Sequence, residues 1–278
     1  MNAPHADDGQ QDLSDSSLVP FLGLSFGIAW GVFALFALFP RPITALLGAP
    51  SGHHPLFILA VYAPAIAALF LVWRRAGGSG LRRFLSRILL WRMPAVWWAV
   101  LILGIPVVFA IGAAMKGTLW PPTVSFDGAG ALLGAIAFML VLGPVEELGW
   151  RGLMLPVLQR RMAPVWAGLA VGAVWGLWHM PAFLLSGTPQ AAWGFLPFVV
   201  GTTAISVILT AMFNAARGSL LIAGLFHFQM NNPLWPDAQP YDTWVFVAAA
   251  LATVWICRRS MLGRDPARTG AVTRVLPD

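Results

Sequence analysis

The chain has 278 residues, of which 58% are hydrophobic and only 10% charged, far from the roughly 25% charged residues of a soluble globular domain. These proportions exclude a water-soluble fold and predict an all-α integral membrane protein. The net charge of +6 is no nucleic-acid signature, because the basic residues are dispersed over several short loops instead of gathered on one face.

Residues 1–16 (MNAPHADDGQQDLSDS) are polar and acidic with no basic leader, so they read as a disordered tail and not as a cleavable signal peptide. A transmembrane helix needs about 20 mostly apolar residues. Segments 17–39, 56–73, 94–115, 129–158, 164–186, 192–213, 218–232 and 243–257 qualify, giving about eight crossings, the fourth long and the last two short. The 14 tryptophans suit such a protein, since indole rings favour membrane interfaces and crowded helix contacts. No repeat relates the two halves, and no stretch outside the apolar segments is long enough for a soluble domain. The expected organisation is a disordered cytoplasmic tail over 1–16, one membrane domain over 17–258 and a basic cytoplasmic tail over 259–278.

Basic residues in the loops then set the orientation. With the amino terminus in the cytoplasm, only Arg41 and Lys116 fall outside, and every other loop or tail arginine falls inside. An odd number of crossings would put a basic cluster outside, so the bias supports eight and predicts a multi-pass cell (inner) membrane protein with both termini cytoplasmic. The stretch 80–92 (GLRRFLSRILLWR) lines up Leu81, Phe84, Leu85, Ile88 and Leu89 on one stripe with arginines opposite. It reads equally as a helix lying in the cytoplasmic interface or as a basic linker. His5, His53 and His54 read as solvated tail and loop residues, Asn214 and Asn232 as helix-end or loop caps, and the single Cys257 as a bystander near a helix end.

Few ionisable groups lie inside the apolar segments: Glu146, Glu147 and Arg151 in the fourth, His179 in the fifth and His227 in the seventh. These two glutamates are the only ones in the chain. A charge at the bilayer centre costs about 2.5–3.5 kcal/mol on insertion scales, so such groups face a polar interior and serve a function. At 1.5 Å rise per residue, Glu146 is roughly 18 Å from residue 158, His179 roughly 22 Å from residue 164 and His227 roughly 14 Å from residue 218. A shared site between the fourth, fifth and seventh helices is therefore possible.

Glu147 and Arg151 stand four residues apart in the favourable order for an ion pair, leaving Glu146, rotated about 100° away, free for chemistry. Pro144 removes a helix hydrogen bond and, with Gly143, Gly149 and Gly152, predicts a bend able to admit water. Trp175 and His179 are four apart, so the indole can cover the imidazole; His227 and Asn231 are also four apart and share a face. A Glu146 and His179 pair could exchange a proton near neutral pH. Standing alone, each His or Asn would read as interhelical hydrogen-bond glue.

These residues resemble the CPBP or Abi intramembrane proteases, which include the type II CAAX prenyl endopeptidases. That family's Glu-Glu-x-x-x-Arg motif is matched by Glu146, Glu147 and Arg151. Its Phe-x-x-x-His motif appears with Trp in the aromatic place, as Trp175 and His179, and its His-x-x-x-Asn motif as His227 and Asn231. The family core then covers 129–232. The resemblance implies an endopeptidase acting on a membrane-associated or lipidated peptide or protein, with no nucleic-acid partner. In it Glu146 and His179 bind and activate water, Glu147 supports the site through Arg151, and His227 with Asn231 stabilises the oxyanion. A metal version would hold Zn2+ on Glu146, His179 and His227; the usual His-Glu-x-x-His spacing is absent, and the metal-free form is the reading preferred. Two other classes compete: a non-catalytic binding or bacteriocin-immunity protein of the same fold, and a proton-coupled transporter using Glu146, Glu147 and Arg151 as a relay.

Overall fold

A computed structural model describes residues 15–120, 126–185 and 188–263. Among these, nine helices carry the architecture: α1 (Leu18–Leu38), α2 (Pro40–Leu47), α3 (Pro55–Leu89), α4 (Ala95–Lys116), α5 (Ala129–Gln159), α6 (Pro164–Leu184), α7 (Phe195–Ala215), α8 (Leu220–Met230) and α9 (Tyr241–Ile256). No strand occurs among the described residues. Six of the nine are long and apolar enough to cross a membrane, while α8 and α9 are shorter apolar helices at the seventh and eighth expected segments. The protein is an all-α polytopic membrane protein. Most of the two expected tails, 1–14 and 264–278, lies outside the described residues.

The outer faces of these helices stay apolar, as at Trp30, Leu35 and Leu38 of α1, so sidedness comes from packing and not from a polar stripe. Between α6 and α7 the packing rests on Gly168, Gly172 and Gly176, spaced four apart. A Cβ at Gly172 would come within 2.6 Å of the Thr203 Cα, so the two backbones touch only because the side chain is missing. Ser206 Oγ donates to the Gly168 carbonyl across the same seam at 2.8 Å. Helix α3 buries the small residues Ala60, Ala63, Ala67 and Ala68, and it meets α5 where Gly149 lies against Pro64.

The stretch 80–92 departs from expectation. Gly77 takes φ 61° and ψ −160°, conformations open to glycine, and breaks α3; a 3-10 turn over Arg87–Leu89 then ends it. The 3-10 turn rotates the stripe. Arg87 becomes buried while Ile88 and Leu89 are exposed. The guanidinium donates from Nε to the Gly218 carbonyl at 3.0 Å and from Nη1 to the Gly152 carbonyl at 2.9 Å, with Phe84 and Phe213 against its faces. His54 is likewise no solvated loop residue. It is buried, edge-on to Phe36, and its Nδ1 accepts from Leu56 N as the N-cap of α3. Asn214 bridges helices by donating to Gln159 Oε1 at 3.0 Å, whereas Asn232 caps its loop by accepting from Leu234 N.

Candidate active site

Helix α5 is not one helix locally. Its α-helical part ends at Leu142, Pro144–Glu146 form a 3-10 turn, Glu147–Gly149 return to α, and Trp150–Met154 widen into a π turn before α geometry resumes at Leu155. Pro144 has no N–H to give and its ring crowds the preceding turn, so the ladder must change register there. Such irregular turns inside membrane helices recur where a site is built. Here the change lets two adjacent carboxylates reach different neighbours.

Glu147 turns towards α8. Its Oε1 accepts from Arg151 Nη1 at 3.1 Å and pairs with His227 Nδ1 at 2.7 Å, all three side chains being buried. A carboxylate oxygen accepts, so His227 carries its proton on Nδ1 and presents Nε2 on the other side of the ring. Glu147 Oε2 and Arg151 Nε and Nη2 are buried without a protein partner, which makes the pair sensitive to loss of either member.

Glu146 turns towards α6. Its Oε2 accepts from the indole Nε1 of Trp175 at 2.8 Å and of Trp150 at 3.3 Å. Trp175 thus does more than cover the imidazole: it is a donor to Glu146, its ring lies 4.9 Å from the Arg151 guanidinium and 5.2 Å from the His227 ring, and its carbonyl bonds His179 Nδ1 at 2.8 Å. His179 ends the α-helical part of α6, between Trp178 and Phe198. Glu146 and His179 are therefore joined through one tryptophan, each bonded to a different group of it.

Asn231 forms the C-cap of α8, its N–H bonded to the carbonyls of His227 and Phe228, and its side chain is exposed. Gly143 makes room for it. A Cβ there would meet Asn231 Nδ2 at 2.2 Å and His227 Nε2 at 2.9 Å, so the missing side chain is what brings these two nitrogens against the backbone of α5.

The side chains of Glu146, Glu147, Arg151, Trp175, His179, His227 and Asn231 thus assemble from α5, α6 and α8. Among the described residues, no three His, Cys, Asp or Glu side chains are grouped to hold a metal ion. The set Glu146, His179 and His227 does not fit one as arranged, since Glu146 is taken by indoles and His227 by Glu147. Sequence reasoning did not single out Trp150 or Arg87. Trp150 stands four residues after Glu146, a spacing that was visible.

Residues 128–232 match the family model described as Type II CAAX prenyl endopeptidase Rce1-like. This segment is similar to that family. Over an alignment of 197 residues that takes in 65% of the chain and 72% of the other protein, it is 26% identical to the CAAX prenyl protease 2 of Methanococcus maripaludis. The Rce1-like segment includes every motif residue and both short and broken helices that carry them, while Arg87, Phe84 and Pro64, which brace it, lie outside.

Proposed function

We propose that this protein is an intramembrane endopeptidase that hydrolyses a peptide bond in a membrane-associated or lipidated substrate, with a single membrane domain over 17–258 and both termini cytoplasmic. The observation that carries this reading is the convergence of two separately engaged carboxylates with two imidazoles and a carboxamide at one level of the bundle. Peptide hydrolysis needs a base for water and donors for the tetrahedral oxygen, and the assembly has both.

Glu146, steadied by two indole N–H groups, takes a proton from water as the oxygen bonds to the scissile carbonyl carbon. Asn231 Nδ2 donates to the resulting oxyanion, and the His227 ring, held by Glu147 through Nδ1–H, stabilises it from beside Asn231. That proton passes to the leaving nitrogen by way of His179 or directly, the C–N bond breaks, and Glu146 is ionised again. Each step conserves charge within the buried cluster, which matters where ions are costly.

The name of the Methanococcus relative suggests prenylated CAAX peptides as the first substrates to try. The test compares peptide termini in membranes from cells making the native protein or the Glu146→Gln form at equal abundance. New termini confined to the native sample are expected. Identical termini, with a cellular phenotype that survives Glu146→Gln, would sink the peptidase and favour a binding protein.

A further inference from the structure

Helix α8 has only 11 residues to bring His227 and, at its C-cap, Asn231 to the site, fewer than the roughly 12–15 below which a helix is marginal on its own. Where these two side chains stand therefore depends on what holds the helix. Its start is fastened to the linker before α4: Arg87 Nε donates to the Gly218 carbonyl at 3.0 Å, and Ser219 Oγ bonds the Leu90 carbonyl. Its far end is held by the half-buried Gln229, whose Nε2 donates to the Leu101 carbonyl of α4 at 2.9 Å.

That carbonyl is free to accept for a reason written in the sequence of α4. Residues Val100–Gly104 form a π turn, so the Ile105 N–H goes to the Val100 carbonyl and not to Leu101, its partner in regular α geometry. The next residue, Pro106, has no N–H to offer. Leu101 is buried, and a buried carbonyl needs a partner. Gln229 supplies it.

The same carboxamide carries the tie onward. Gln229 Oε1 accepts from Asn232 Nδ2 at 3.0 Å, and Asn232 Oδ1 accepts from Leu234 N at 3.0 Å. Asn231 is thus held between two clamped neighbours. Gln229 stands two residues after His227 and two before Asn231, so at about 100° per residue it projects from the face of α8 roughly opposite to theirs. His227 and Asn231 meet α5 at Glu147 and Gly143, while Gln229 draws the rear of the helix onto α4.

We infer that Gln229 is a positioning residue of the site: it touches no substrate, and its bond to α4 fixes the rotation of α8 that sets His227 against Glu147 and Asn231 against Gly143. This rests on reading the site as a peptidase, but part of its test needs no activity.

Gln229→Met keeps length and bulk and removes the N–H. The chain has five histidines, so isotope labelling of histidine alone gives a short NMR spectrum in detergent, in which His227→Gln identifies the His227 ring. Its Nδ1–H signal, set by the 2.7 Å bond to Glu147, is expected to move or broaden in Gln229→Met while those of His53 and His54 hold. Turnover of the peptide that the terminus comparison identifies should fall about tenfold or more in kcat with KM within about twofold, since misplaced groups weaken the transition state and not binding. Adding Pro106→Ala returns an N–H to the turn after Leu101 without reconnecting α8. It is expected to restore the unfolding midpoint that Gln229→Met lowers, but neither kcat nor the His227 signal, and it carries the test if Gln229→Met alone does not fold. An unmoved His227 signal in Gln229→Met, a loss seen in KM alone, or native kcat and signal in the double variant overturns the inference. A failed peptidase reading shows itself separately: the native protein then makes no new termini, while the His227 signal still reports whether Gln229 holds α8.

Discussion

Trp175→Phe keeps an aromatic ring under Arg151 and beside His227 but deletes the indole N–H that Glu146 accepts at 2.8 Å. Hydrogen bonds to a charged group contribute about 1.5–3 kcal/mol. The second donor, Trp150 Nε1, remains at the longer distance of 3.3 Å, so the lower half of that range applies. A loss of about 1.5–2 kcal/mol lowers a rate roughly 10- to 30-fold. Because the bond orients the base and touches no substrate, the fall belongs in kcat, with KM within about twofold. The assay is steady-state turnover of whichever peptide the terminus comparison identifies, in detergent or reconstituted vesicles, with thermal unfolding run alongside. Trp150→Phe, losing the longer bond, should cost less. Wild-type kcat in Trp175→Phe, or a larger loss in Trp150→Phe than in Trp175→Phe, would refute the view that Trp175 holds the base.

Glu147→Ala leaves the buried Arg151 without its partner, a change that costs about 3–5 kcal/mol where a buried pair is broken; the thermal midpoint in detergent should fall sharply, and adding Arg151→Met should restore part of it. Failure of the second substitution to help would mean that the charge is not the source of the loss. Gly143→Ala drives a methyl into Asn231 Nδ2 and the His227 ring, flexible side-chain neighbours, so turnover should fall about tenfold or more through misplaced donors with little change in the unfolding midpoint. Gly149→Ala meets the Pro64 carbonyl oxygen and carbon at 2.6 and 2.8 Å, where no rotamer can yield, and it should unfold at lower temperature than Gly143→Ala; the reverse order would contradict the packing. Dialysis against a strong chelator should leave the termini unchanged, and their loss would mean that a metal draws Glu146, His179 and His227 together.

What the sequence revealed about the site was what spacing along one helix decides. Glu147 and Arg151 are four apart in α5 and bond at 3.1 Å, and the apolar runs located all the helices bearing motif residues. The contacts that give Glu146 its setting were hidden, because Trp175 is 29 residues away and its N–H could have pointed anywhere. Arg87 was misread for a local reason. A single helical stripe through 80–92 assumes constant twist, while the 3-10 turn after Ser86 advances each residue by more and carries Arg87 inward. The dipeptide His54–Pro55 was the overlooked clue to a helix start, since Pro favours the first helical position and the residue before it caps the free N–H groups.

The brace formed by Arg87 has a consequence for protein engineering. The segment matched by the family model is braced from outside: its π turn takes a hydrogen bond from the Arg87 guanidinium and its Gly149 lies against Pro64. Transplanting residues 128–232 into another scaffold would therefore carry over every reactive side chain and still deliver a misaligned catalyst. A chimera that keeps its own first three membrane helices must also supply an arginine at that level, or the two halves will fold as strangers.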